Sequence, residues 1–61
     1  MFYEKVISYC NKNRITVSGF EQRCGLSNGA VSKWKNGGSP SIPNLKKIAE
    51  ATKVPVEKWL Q

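Results

Sequence analysis

The residues with most chemistry to offer are a run of hydroxyls, amides and amines, not acids and bases. Ser27, Asn28, Gly29, Ser32 and Lys33 fall close together, and Lys35 and Asn36 follow, with no carboxylate between Ser27 and Gly38. An asparagine amide can pair two-fold with adenine, and a lysine ammonium can donate to O6 and N7 of guanine. Gly29, without a side chain, lets a sugar or base approach the backbone closely. The same inventory argues against catalysis. The chain has no histidine and no aspartate, and its four glutamates form no recognisable triad or metal set. Cys10 and Cys24 are not a CxxC pair and have no activating base nearby in sequence, so zinc and thiol chemistry are not expected. They read as small buried apolar residues. No enzyme activity, cofactor, metal or small-molecule ligand is expected.

Charge points the same way. Ten Lys and Arg against four Glu give a net charge of +6 in 61 residues. That balance favours a polyanion as partner, nucleic acid before an acidic membrane surface. A membrane span needs about 20 apolar residues, and no such run exists. The first residues lack the basic start of a secretion signal, and cysteine use is sparse, so a cytoplasmic protein is expected. The length allows one domain, expected over residues 1–61.

Those residues must be held by helices, because no useful β alternation occurs. Five short helical segments separated by breakers are expected, an all-α compact bundle. The first spans Phe2 to Asn13, with Phe2, Val6 and Cys10 at i, i+4 and i+8. The second spans Val17 to Cys24, with Thr16 as N-cap and Gly25 as its left-handed stop. The third runs from its cap Ser27 to about Lys35, with Ala30, Val31 and Trp34 inward and Asn36-Gly37-Gly38 ending it. Trp34 therefore reads as core, not as a base-stacking platform. The fourth starts at Ile42 behind Ser41, with Pro43 in its first turn, and ends at Thr52. The last covers about Pro55 to Leu60 and contributes Val56, Trp59 and Leu60.

Residues 17–36 thus read as helix, short glycine turn, helix. A helix fits the major groove of DNA, and the N-terminal end of such a helix normally meets the bases. Its free amides and partial positive charge also suit phosphate. The stretch Gly25-Leu26-Ser27-Asn28-Gly29-Ala30-Val31-Ser32-Lys33-Trp34-Lys35-Asn36-Gly37 resembles the Xre-type helix-turn-helix family, which includes the phage Cro and repressor domains. The tail, Ser39-Pro40-Ser41 through Leu45-Lys46-Lys47-Ile48-Ala49 to Trp59-Leu60, extends the likeness over nearly the whole chain, towards short regulators of Gram-positive bacteria and their phages.

The resemblance implies a five-helix, lambda-repressor-like domain that binds double-stranded DNA as a transcriptional regulator, expected to be a repressor. It carries base contact onto Asn28, Gly29, Ser32 and Lys33, and backbone contact onto Thr16, Ser18, Ser27, Lys35 and Asn36. It also implies a homodimer on a palindromic operator; Val56, Trp59 and Leu60 are candidates for the dimer surface, with core packing of the last helix as the alternative. Four positions depart from the pattern. Val17 stands where many members have a phosphate-binding Gln, and Glu21 where many have Ala, although the closer relatives tolerate Glu there. Cys10 and Lys35 occupy the places of an Arg–Glu pair in some relatives, which leaves Lys35 available for phosphate. A competing reading is a protein-interaction module of the same fold, an antitoxin or anti-repressor. The basic charge and the acid-free third segment weigh against it.

Overall fold

A computed structural model describes residues 2–60, so both ends of the expected 1–61 domain lie outside the described residues. Among the described residues there are four α-helices and one 3-10 helix, with no strand. The first helix, α1, spans Phe2–Asn13, and the second, α2, spans Val17–Cys24, both as the periodicity predicts. The α1 stripe buries Val6 and Cys10. Thr16 caps α2 as expected, its hydroxyl oxygen accepting the Gly19 amide at 3.0 Å.

The exit from α2 is a double-bonded cap. Gly25 adopts φ 70°, its amide bonds to the Gln22 carbonyl at 3.2 Å, and the next amide, Leu26, reaches the Glu21 carbonyl at 2.9 Å. This pairing satisfies two of the carbonyls that a helix end leaves open.

The third segment differs from expectation. Instead of an α-helix from Ser27 to about Lys35, the chain makes a turn over residues 28–30 and then a 3-10 helix, Val31–Trp34. Ser27 is not its cap: the residue before the helix is Ala30, in right-handed helical conformation, and no side chain of that position caps it. The reason lies at Gly29, whose φ of +88° cannot belong to a right-handed helix. The segment still coils continuously. Three-residue turns link Ala30 to Ser27, Lys33 to Ala30, Lys35 to Ser32 and Gly37 to Trp34, each through an amide-to-carbonyl bond of 3.1 to 3.2 Å. The tighter winding puts residues three apart on one row, and Val31 and Trp34 share the buried one.

The third α-helix, α3, spans Ile42–Thr52, preceded by Ser41 in extended conformation and carrying Pro43 in its first turn. The last, α4, is the single turn Val56–Trp59, slightly shorter than expected. Helix α2 packs on α3, α1 packs on α2 and on the 3-10 helix, and α4 closes against α3.

The core contains Val6, Cys10, Phe20, Cys24, Ala30, Val31, Trp34, Leu45, Ile48 and Trp59. Aromatic rings tie the two chain ends together: Phe2 lies edge-on to Trp34 at 5.2 Å, and Trp59 meets Phe2 at 5.5 Å and Tyr9 at 5.8 Å. Contacts of this geometry add about 0.5–1.5 kcal/mol each beyond area burial, a large share of a small domain's margin. The Trp59 indole N–H donates to Thr52 Oγ1 at 3.3 Å, and that hydroxyl donates to the Ile48 carbonyl at 2.7 Å. Thus α4, too short to be stable alone, is fixed by a ring and one hydrogen bond.

Candidate nucleic-acid interface

The buried row of the third segment decides what its other rows display. Ala30, Val31 and Trp34 are each no more than 7% exposed, so the backbone between them is pinned to the core. Ser27, Asn28, Ser32, Lys33, Lys35 and Asn36 are all exposed, and Gly29 is half-buried. Seven of the nine sequence-derived contact residues therefore share one segment, six of them exposed and Gly29 partly so. Thr16 and Ser18, at the start of α2, are exposed as well. Thr16 already spends its hydroxyl oxygen on the Gly19 amide, although that oxygen keeps a proton to donate.

Beside the segment, Lys33 and Ser27 border an open hollow whose far side is Ser39, Ser41 and Asn44. The chain reaches that side through Gly38, which lies flat against the end of the 3-10 helix. A Cβ at Gly38 would sit 2.7 Å from the Lys33 carbonyl oxygen. The closeness of that crossing keeps the 39–41 loop next to Lys33.

Carboxylates are scarce here. Glu21 is the nearest in sequence, and it is 4% exposed and turned inward. Its Oε1 accepts the Gly29 amide at 3.3 Å and its Oε2 accepts the Val31 amide at 2.9 Å. Sequence reasoning treats Glu21 only as a departure from a family pattern. A signal for its role was present: Val17, Phe20, Glu21 and Cys24 fall at i, i+3, i+4 and i+7, so Glu21 lies on the inward stripe of α2. A carboxylate so placed must find buried donors. The nearest orphans are the amides that open the next segment.

Three other expectations meet the structure as follows. Trp59, a dimer-surface candidate with core packing as its alternative, is a core residue only 4% exposed. Of that set, Leu60 is 67% exposed and Val56 half-buried. Trp34 is core, as its spacing predicts. The thiols of Cys10 and Cys24 are buried and unbridged. Burial raises both pKa values, that of Cys24 to about 11 with a smaller push from Cys10, which keeps both protonated and unreactive at neutral pH.

Among the described residues no group of His, Cys, Asp or Glu could hold a metal ion, and no helix is long and apolar enough to cross a membrane. No match is found among curated proteins or among solved structures. The sequence profile of a helix-turn-helix family matches residues 7–59. That match takes in α2, the glycine turn and the whole basic third segment, and the chain belongs to the Xre-type helix-turn-helix family of DNA-binding transcription regulators.

Proposed function

We propose that this protein is a sequence-specific repressor that occupies operator DNA, with residues 27–36 entering the major groove. The observation that carries the reading is the exposure of Asn28, Ser32, Lys33, Lys35 and Asn36 on a backbone whose opposite row is buried. In this reading Asn28, Ser32 and Lys33 discriminate bases, and Gly29 admits close approach. Lys35, Asn36, Ser27, Thr16 and Ser18 hold the phosphates, releasing counterions and fixing register. One copy presents a single short segment, which limits it to few base pairs. Two copies on half-sites about one helical turn apart supply the missing specificity. A palindromic operator follows, and Leu60 with the exposed edge of Val56 is the self-contact that α4 offers.

Selection of bound sites from a pool of random duplexes tests the reading. A two-fold symmetric consensus is expected. A single half-site overturns the dimer, and no enrichment overturns the regulator. On the selected site, Lys35→Ala should weaken binding and reduce the salt slope by about 1, as the loss of one phosphate contact does. An unchanged slope removes Lys35 from the interface.

A further inference from the structure

The carboxylate beneath the third segment has a geometry that goes further. Glu21 serves the turn twice: its carbonyl accepts the Leu26 amide at 2.9 Å, and its two carboxylate oxygens take the amides of Gly29 and Val31. One residue of α2 therefore ties down both ends of residues 26–31. We propose that Glu21 is the positioning residue of the DNA-reading segment, holding the 28–30 turn in the form that displays Asn28 and aims the 3-10 helix. The proposal deepens the DNA-binding reading and rests on it.

The chemistry of the donor and acceptor sets supports the assignment. A carboxylate is acceptor-only and offers two oxygens, which matches two N–H groups and nothing else. The Val31 bond is buried, so water cannot readily replace the oxygen there. No cap side chain at Ala30 stands in for it. Gly29 gives the turn its left-handed residue at φ +88°, and a Cβ there would meet nothing within 4 Å, so glycine is favoured by backbone conformation and not by lack of space. In this assignment the carboxylate favours the turn over a continuous helix from Ser27 by holding the Gly29 and Val31 amides together. Asn28 lies immediately before one clamped amide, and Ser32 and Lys33 immediately follow the other.

Glu21→Gln is the discriminating change. It keeps the size but presents one acceptor and one donor, so the amide of either Gly29 or Val31 must face an N–H₂ group. The measurements are affinity for the selected duplex and for a random duplex at the same salt, together with amide hydrogen exchange. Glu21→Gln is expected to lose about tenfold on the selected duplex, the order of one lost base contact. Binding to the random duplex should stay within about twofold, because the lysines are untouched. Exchange at Gly29 and Val31 should rise more than at the α1 amides. Val6→Ala, a core change on α1 that removes none of the Glu21 hydrogen bonds, should lower stability and leave the ratio of the two affinities intact. Glu21→Ala repeats the test should the glutamine variant fail to fold.

A Glu21 variant that keeps the wild-type ratio overturns the proposal, as does a Val6→Ala variant that loses it equally. A wild-type chain with no preferred duplex sinks the DNA reading and the display role with it. Unchanged exchange at Gly29 and Val31 sinks the clamp whatever the DNA result.

Discussion

Gly38→Ala tests whether the loop crossing beside Lys33 is as tight as the geometry states. The added methyl would stand 2.7 Å from the Lys33 carbonyl oxygen, 3.5 Å from its carbon and 3.6 Å from Trp34 Cα. All three are backbone atoms, and Trp34 is anchored in the core, so no flexible side-chain end can yield. The loop must lift by about half an ångström, a crowding that costs about 1–3 kcal/mol. Alanine returns about 0.4–1 kcal/mol by restricting the unfolded chain. The net loss centres on about 1.3 kcal/mol, which in a domain of this size lowers Tm by about 5–10 °C. Thermal unfolding followed by far-UV circular dichroism reads it. The Gly37 amide, bonded to the Trp34 carbonyl at 3.2 Å, should exchange faster as the loop lifts. A Tm equal to or above that of the wild type would show that unfolded-chain entropy dominates, and would refute the close crossing.

Other consequences follow from single contacts. Thr52→Val removes a hydroxyl that accepts the Trp59 indole N–H and the Val54 amide, each at 3.3 Å. Leaving such donors short costs about 1–3 kcal/mol, visible as a lower denaturant midpoint; an unchanged midpoint would mean that α4 is held by ring packing alone. Thr16→Ala should cost about 1 kcal/mol through loss of the α2 cap, with Thr16→Ser retaining most of the stability; equal Tm values for the alanine and serine variants would deny the cap. The Cys24 thiol is raised from 9.0 to about 11 by burial, so the unfolded chain gives up its proton first. Its contribution is whole below pH 9 and is lost as pH rises towards about 11. Wild type should lose stability over that window more steeply than Cys24→Ala, and parallel pH profiles would contradict the assignment.

Much of this architecture was legible in the chain. The spans of α1, α2 and α3 follow from local rules: apolar stripes at helical spacing, Thr16 before α2, Gly25 after it, and Ser41 with Pro43 at the start of α3. These depend on neighbours within one turn, so a sequence contains all that is needed. The outward set of Asn28, Ser32 and Lys33 was legible for the same reason, since Ala30, Val31 and Trp34 claim the inward row under either winding.

Three features came only from tertiary structure. Local propensity makes Ser27 a good cap and residues 27–35 a helix, but Gly29 is free to turn left-handed and a distant carboxylate binds the result. Trp59 lies at a chain end on a one-turn helix, where spacing cannot separate surface from core. Its burial depends on rings from α1 meeting it in space. Spacing puts Glu21 on the inward stripe of α2, but the donors it meets are fixed only where the amides of Gly29 and Val31 fold over it. Hydrogen-bond partners eight and ten residues away are chosen by the packing of α2 on its neighbours, and no periodicity along the chain encodes that choice.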